Sequence, residues 1–211
     1  MFFEDMTYPG GTRVLAWRLV EETSQLMALC REAGVACEDL TELPDKRQRE
    51  KAAERLLLCR AFGHPVVLCH DEQGAPSVKD EPTNISITHT IHMVALAVND
   101  GQVIGIDAEL ADRKQVLRVR DKFLNVGEQL FIAPDDLTAH VIAWTAKEAI
   151  IKAERNSSLD WTGGISLDSF TVPELDFDQI AFTARSATNR YQIVVLPVGG
   201  HFLTLATALK P

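Results

Sequence analysis

The sequence predicts an α/β protein of the α+β kind, built from two subdomains that each pair a small antiparallel sheet with packed helices. Its 211 residues are 46% hydrophobic, which suffices for one large core or two small ones packed together. In both halves helices precede β-rich runs that contain a tight-turn signal, Asn99-Asp100-Gly101 in the first half and Gly199-Gly200 in the second. This repeated order predicts two related subdomains, although no residue-level repeat accompanies it.

The first half contains both helix and strand signals. Gly34 and Gly63 follow two periodic stretches and are expected to end helices. The Asn-Asp-Gly turn is expected to join two strands as a hairpin. The predicted elements are a strand at 13–20, helices at 21–34 and 44–63, a strand in VVLCHDEQGAP, and a hairpin within 84–110.

The second half begins with helices and ends in strands. Gly199-Gly200 is expected to join the last two strands as a hairpin. The predicted elements are helices at about 112–124 and 135–155, followed by strands at 165–175, 180–187, 190–198 and 201–209.

Composition excludes several classes of protein. A net charge of -9 argues against general nucleic-acid binding, which needs a broad positive surface. No apolar run approaches the roughly 20 residues that span a bilayer, and acidic residues stand where a secretory signal carries positive charge, so we expect a cytoplasmic protein. The cysteines form no Cys-x-x-Cys pair and are expected to be buried and free: Cys30, Cys37, Cys59 and Cys69.

Two stretches of this acidic chain are basic. Six basic residues outnumber three acidic ones between Asp45 and Arg60, and five outnumber two between Asp112 and Lys122. Each stretch has two interpretations, a solvated amphipathic helix or a surface that binds anions.

The segment GIDAEL places Asp107 and Glu109 two residues apart on a predicted strand. A period of two sends both carboxylates to one face, about 7 Å apart, where they can close around one cation. Hard oxygen ligands of this kind suit Mg²⁺, which is often shared with the phosphates of a substrate. The alternative is a pair of solvated acidic residues at a strand end.

The segment WTAKEAIIKA places Trp144, Glu148 and Lys152 on one stripe of a predicted helix. Glu148 is the natural third metal ligand, and Lys152 supplies positive charge for a phosphate oxygen. The alternative is an ordinary helical ion pair, because Glu at i and Lys at i+4 stabilise a helix by about 0.2–0.5 kcal/mol. An aromatic residue on the same stripe must cover something, which argues against a fully solvated face.

In order along the chain, GIDAEL, KFLNVGEQL (122–130) and WTAKEAIIKA resemble the motifs of the 4′-phosphopantetheinyl transferases that activate peptide and polyketide synthetases. NISITHT resembles the Ile-Ser-His-Ser strand of that family, with Thr88 and His89 at its Ser-His pair. KRQREKAAERLLL resembles a basic helix found in members of the family. The resemblance covers roughly residues 44 to 170.

The resemblance implies two pseudo-symmetric halves with the active site and coenzyme A in the cleft between them. Residues 1–105 then form an N-terminal subdomain that holds part of the coenzyme A site, and residues 106–211 a C-terminal subdomain with the metal and catalytic residues. Asp107, Glu109 and Glu148 hold Mg²⁺, with Mn²⁺ as a substitute. A serine hydroxyl of an apo acyl, peptidyl or aryl carrier protein attacks the β-phosphorus of coenzyme A, and 3′,5′-ADP leaves.

The resemblance also assigns roles to single residues. Glu148 is the base for the serine, Lys152 stabilises charge on the pyrophosphate, and Asp107 acts with them. Segment 113–122 is expected to receive the carrier, because such carriers are typically acidic. The chain is expected to act as a monomer. The residues expected to bind coenzyme A are Arg55, Gly74, Pro76, Thr88, His89, Lys147 and Lys152.

Two departures from the family pattern leave other functions open. Gly74-Ala75-Pro76 lacks the cation that the family usually has between the glycine and the proline, and Lys79 is the nearest substitute. ERNSSL follows Lys152 closely where a Gly-x-Gly-like turn is common. The alternatives are a catalytically weak paralogue that binds coenzyme A or a carrier, and a metal-dependent phosphohydrolase. The pair His89 and His92 suggests no zinc site, because this spacing in a strand sends the two rings to opposite faces.

Overall fold

Two antiparallel sheets organise the chain, one in each half. The structure is a computed structural model that describes residues 2–8, 10–173 and 177–210. It divides into two compact units, Met1–Gly101 and Gln102–Pro211. The predicted α+β class, with antiparallel sheets and packed helices, is confirmed.

The first unit has a four-stranded sheet in the order β1-β2-β6-β5, a separate β3–β4 pair and two helices. Helix α2 packs against β2 and β6, and α1 packs against α2. Apolar side chains such as Leu15, Leu26, Leu57 and Leu96 fill the core between sheet and helices. The elements are β1 (Phe2–Thr7), β2 (Arg13–Arg18), α1 (Thr23–Glu32), α2 (Asp45–Phe62), β3 (Leu68–His70), β4 (Pro76–Val78), β5 (Asn84–His89) and β6 (Met93–Asn99).

The turn at Asn99-Asp100-Gly101 does not close a hairpin, so that prediction is wrong. Strand β6 pairs with β2 and β5, and the hairpin partner of β6 is β5. The side chain of Asn99 donates to Gly10 O and Thr12 Oγ1 and accepts from the Gly101 amide. The turn residues therefore fasten the end of β6 within the first unit, and the chain then enters the other sheet.

The second unit has a five-stranded sheet in the order β7-β11-β10-β9-β8. The predicted Gly199-Gly200 hairpin is confirmed, because both glycines have positive φ and Val198 pairs with His201 across the turn. The elements are β7 (Ile104–Leu110), α3 (Gln115–Arg118), α4 (Arg120–Phe123), α5 (Leu137–Glu154), β8 (Ile165–Leu167), β9 (Ile180–Ser186), β10 (Arg190–Val198) and β11 (His201–Ala208).

Several predicted boundaries differ from the structure. β1 was not predicted, and it forms by pairing with β2. The single helix expected at 112–124 is two four-residue helices, α3 and α4. Of the strand expected at 165–175, Ile165–Leu167 is extended and paired with β9, whereas Glu174 and Leu175 lie outside the described residues.

Helix α5 is the central element of the second unit. The side chain of Asp136 accepts a hydrogen bond from the Ala139 amide and caps its N-terminus. The helix packs against β7 and β11, and most of its residues are buried. Among the described residues, no helix has both the length and the apolar character needed to cross a membrane.

The four cysteines are free, as expected from their spacing. Cys30 and Cys37 are buried in the core of the first unit, whereas Cys59 and Cys69 are half-buried.

Candidate active site

Gly105 sets the distance between β7 and α5. A Cβ atom at this position would overlap the carbonyl oxygen of Ala149 and would lie 2.7 Å from the amide nitrogen of Ala153. Only glycine lets the strand and the helix approach this closely. Because Asp107 and Glu109 follow Gly105 at a period of two, they lie on the face of β7 that meets α5.

Lys152 of α5 reaches across this contact to β7. Its ammonium donates to Asp107 Oδ1 at 2.7 Å and to the Ile106 carbonyl oxygen at 3.0 Å. Asp107 is buried, whereas the Lys152 side chain is partly exposed. In the described part of the chain, Lys152 therefore forms its ion pair across to the strand and not along the helix with Glu148.

Glu148 lies beside the same pair on α5. Burial raises the pKa of its carboxyl, and the negative charge of Asp107 raises it further. The positive charges of Lys152 and Arg113 act in the opposite direction but do not cancel the increase. Asp107, Glu148 and Lys152 thus form one electrostatically coupled group.

Glu109 binds a different cation. It forms an ion pair with Arg113, whose guanidinium lies 5.2 Å from the centre of the Trp144 ring. Trp144 also contacts the rings of Phe123 and Trp161. The stripe position of Trp144 is thereby explained, because its ring covers Arg113 and joins an aromatic cluster. Sequence reasoning missed this role of Arg113, and the available signal was its position four residues after Glu109.

The predicted metal ligands supply suitable chemistry but are not gathered around one point. Among the described residues, no group of three or more His, Cys, Asp or Glu side chains is arranged to hold a metal ion. Asp107 and Glu109 each bind a cationic side chain instead. The donor set nevertheless fits Mg²⁺, because three carboxylates are hard oxygen ligands. The mutual repulsion of Glu148 and Asp107 is also of the kind that a cation relieves.

The burial of Lys147 does not fit its predicted role in binding coenzyme A. Its ammonium is fully buried and donates to Glu128 Oε2 and to the carbonyl oxygens of Phe123 and Trp161, all within 2.7 Å. Burial lowers the pKa of Lys147, and the charge of Glu128 opposes that change. Glu128 also accepts from the amides of Asn125 and Leu167. The pair fixes two loops to α5.

Arg55 and His89, two of the predicted coenzyme A residues of the first unit, have partners within that unit. Arg55 forms a forked pair with Asp39 and also donates to the Ala36 carbonyl oxygen. The hydrogen bonds from Arg55 hold the pKa of Asp39 below its usual range. His89 is exposed, and its Nε2 lies 3.2 Å from Nη1 of Arg47, which forms an ion pair with Glu50.

The other predicted residues of this unit lie on a turn and in two strands. Gly74 has a φ of 81° in a turn, where the side chain of Asp71 accepts from the Ala75 amide. Pro76 begins β4, and Thr88 is buried in β5. The three residues therefore lie on a turn and on two strands of the first unit.

A cavity of about 410 Å³ lies in the first unit. Arg55, Lys51 and His70 contribute to its lining. Both cations are neutralised in the structure, Arg55 by Asp39 and Lys51 by Glu54. An anionic ligand in this cavity would therefore have to displace a carboxylate from a cation.

Comparison with known proteins bears on the second unit. Residues 103–206 match the family model described as the 4′-phosphopantetheinyl transferase superfamily. No curated protein matches the chain at a significant level. The matched range includes Asp107, Glu109, Glu148 and Lys152. Members of the superfamily transfer phosphopantetheine from coenzyme A to carrier proteins, typically with a divalent metal. Residues 103–206, nearly all of the second unit, belong to the 4′-phosphopantetheinyl transferase superfamily.

Proposed function

We propose that this protein is a magnesium-dependent holo-carrier-protein synthase. It transfers 4′-phosphopantetheine from coenzyme A to a serine of an apo acyl or peptidyl carrier protein, acting as a monomer in the cytoplasm. The observation that carries the proposal is the coupled group of Asp107, Glu148 and Lys152, assembled where Gly105 lets β7 and α5 meet. Both the group and the contact lie within the residues that match the family.

Glu148 is the proposed base. A serine hydroxyl is a weak nucleophile at neutral pH and must lose its proton as the bond to phosphorus forms. A carboxyl whose pKa is raised by burial holds that proton better than an exposed glutamate does. The serine oxygen attacks the β-phosphorus, its proton passes to Glu148, and the bond to the departing 3′,5′-ADP breaks.

Lys152 is the proposed partner of the pyrophosphate. Negative charge gathers on the phosphoryl and leaving-group oxygens during transfer, and a fixed cation stabilises that charge. In the structure this ammonium is held by Asp107 and the Ile106 carbonyl, so it is already oriented. Asp107 thereby serves both as a metal ligand and as the group that positions Lys152.

Asp107, Glu109 and Glu148 are the residues that would hold Mg²⁺, which supplies charge neutralisation for the pyrophosphate when bound. For Glu109, binding requires an exchange of partners, because Arg113 pairs with its carboxylate in the structure, whereas Asp107 pairs with Lys152 through Oδ1. At the third ligand, Glu148, burial and the charge of Asp107 raise the pKa, and a bound cation would stabilise the ionised carboxylate.

Arg55, Gly74, Pro76, Thr88 and His89 are proposed to contribute to coenzyme A binding. Arg55 is suited to a phosphate, because its fork already binds the carboxylate of Asp39, and that carboxylate is exposed and able to turn away. His89 lies beside Arg47, which pairs with Glu50, so a phosphate here would compete with the Glu50 carboxylate for Arg47. Lys147 is left out of this set because its ammonium is enclosed.

The carrier protein is proposed to dock on the segment from Arg113 to Leu130. Arg118 and Lys122 are exposed here. Two apolar side chains stand out next to them, Val126 at 80% and Leu130 at 86% exposure. Basic residues beside exposed apolar ones suit an acidic, amphipathic partner surface.

Charge reversal tests this docking surface. The double variant Arg118→Glu and Lys122→Glu should raise the KM for the carrier by about tenfold or more, because attraction becomes repulsion, while the KM for coenzyme A stays near wild type. The rise should shrink in high salt, which screens exposed charges. A carrier KM that does not change would remove this surface from the proposal.

Transfer itself is tested by mass spectrometry of a carrier protein. Apo acyl carrier protein is mixed with coenzyme A, Mg²⁺ and the protein, and a carrier with its serine replaced by alanine serves as the control. The proposal expects the first carrier, and not the second, to gain one phosphopantetheine. Cleavage of coenzyme A without a change in carrier mass would indicate a phosphohydrolase, and binding without either product would indicate an inactive paralogue.

A further inference from the structure

Arg113 holds Glu109 in a defined arrangement at the end of β7. The Arg113 amide donates to the Leu110 carbonyl oxygen at 3.1 Å, so the residue sits in the turn that follows the strand. Its guanidinium forms the ion pair with Glu109 and lies over the Trp144 ring. The side chains of Arg113 and Glu109 are 34% and 22% exposed, which leaves the pair open to solvent ions on one side.

Trp144 gives this guanidinium a fixed platform. Its ring centre lies 4.6 Å from that of Trp161 and 5.2 Å from that of Phe123. The Phe123 carbonyl oxygen is held in turn by the buried ammonium of Lys147. A cation over a clamped indole loses much of its freedom before it meets a carboxylate, which strengthens the pair.

The charge of Arg113 also reaches the rest of the candidate site. It is one of the two positive charges that limit the increase in the pKa of Glu148, the other being Lys152. Arg113 and Lys152 thus play matching parts, because each cation binds one of the two β7 carboxylates and both act on Glu148.

We propose that Arg113 is a positioning residue that holds Glu109 in the metal-free protein and competes with the divalent cation for this carboxylate. The inference rests on the proposed function, because it takes Glu109 as a metal ligand. A carboxylate paired with a guanidinium must give up that partner to bind a metal ion, so the pair lowers metal affinity. Removing the guanidinium should tighten cation binding by about two- to fivefold, the factor that corresponds to a partly exposed ion pair.

Binding of Mn²⁺ measured by electron paramagnetic resonance tests this inference without relying on activity. The free Mn²⁺ signal is titrated against wild type, Arg113→Gln, Arg113→Lys and Lys114→Gln. Lys114 is exposed and adjacent, so its variant loses the same charge without losing the bond to Glu109. We expect Arg113→Gln to bind Mn²⁺ more tightly than wild type, and both Arg113→Lys and Lys114→Gln to stay close to it.

Three outcomes would overturn the inference. If Arg113→Gln binds Mn²⁺ as wild type does or more weakly, the pair does not compete with the cation, and the metal site of the proposed function still stands. If Lys114→Gln tightens binding equally, the effect is general charge and not the bond to Glu109. If neither wild type nor any variant binds Mn²⁺, the metal site itself fails and the inference fails with it. Thermal unfolding of each variant checks that the fold is retained.

Discussion

At Glu148, a stable fold and the proposed chemistry have conflicting requirements. It lies on a helix with few exposed positions, near a second carboxylate, and its pKa is raised mainly by burial. A charged group in such surroundings costs stability, and a natural sequence retains it only where something other than packing requires it. That conflict is what one expects of a catalytic base.

Replacing Glu148 by glutamine should remove transfer activity while keeping the fold. The amide has nearly the same shape but cannot accept the serine proton, so we expect kcat/KM to fall by about 10²- to 10⁴-fold. The measurement is holo-carrier formation over time at saturating Mg²⁺. Asp135→Asn, at an exposed carboxylate in the same unit, is the matched control and should retain wild-type activity.

The same variant should be at least as stable as wild type at neutral pH without metal. A carboxyl whose folded-state pKa is raised contributes stability below its unfolded pKa, and that contribution is lost as the pH rises through the folded pKa. Glutamine does not ionise, so it avoids the loss. Urea unfolding at pH 7 and at pH 4 should show the advantage of the variant shrinking in acid. The free energy of unfolding of the variant is compared with that of wild type at each pH. If this difference favoured the variant less at pH 7 than at pH 4, burial would not be what raises the pKa of Glu148.

At the residue scale, the sequence predicted that α5 lies beside the carboxylates of β7, but it did not predict the ion pairs that these residues form. The stripe of Trp144, Glu148 and Lys152 correctly singled out one helix face, but spacing along a helix cannot show that Lys152 binds Asp107 on a strand. Lys147 was expected to bind coenzyme A because it belongs to the same motif. Its burial depends on the loops that surround it, which no local pattern reveals.

At the scale of elements, the contact between β7 and α5 determines whether a site exists at all. Gly105 removes the side chain that would separate them, and Asp107 follows two residues later on the same face. Because side chains alternate along a strand, the close packing at Gly105 also places the carboxylate of Asp107 beside α5. Along its edge, β7 is hydrogen-bonded to β11.

Gly105→Ala tests this contact. The added methyl overlaps the backbone of α5, which cannot turn aside as a side chain can, so we expect a loss of about 1–3 kcal/mol in the free energy of unfolding and a loss of activity. Gly101→Ala is the control, because a Cβ there meets nothing within 4 Å. Chemical denaturation of both variants gives the comparison, and equal stabilities would show that α5 does not rest on Gly105.

The buried pair of Lys147 and Glu128 clamps α5 to two loops. Lys147→Met leaves Glu128 buried without its cation, and we expect a loss of about 3–5 kcal/mol in unfolding free energy. The double variant with Glu128→Gln should recover part of the loss, because the uncompensated charge is removed. Urea unfolding of the single and double variants measures both effects. A single variant as stable as wild type would mean that the clamp contributes little.

Element types were more predictable than their connections. Helices α1, α2 and α5 follow from periodicity and from their terminal residues, and the last hairpin follows from Gly199-Gly200. The turn at Asn99 has equally good hairpin chemistry, yet its side chain binds the β1–β2 connection and the chain changes sheet. Partners distant in sequence decided that outcome.

At the scale of the whole molecule, the distribution of charge bears on the partner protein, and the family match bears on the reaction. The chain carries a net charge of -9, but the segment from Arg113 to Lys122 is basic and leads into two exposed apolar side chains. An acidic protein with a local basic surface is suited to a specific acidic partner and not to polyanions in general. That is the surface expected of an enzyme whose second substrate is a carrier protein.

The most direct test of the central claim is the stoichiometry of a single reaction. Apo carrier, coenzyme A and Mg²⁺ are incubated with catalytic amounts of the protein, and holo-carrier and 3′,5′-ADP are quantified together by mass spectrometry. The proposed function predicts that the two products rise in equal amounts with wild type and are greatly reduced with Glu148→Gln. Release of 3′,5′-ADP without holo-carrier, or equal rates for the two proteins, would contradict it.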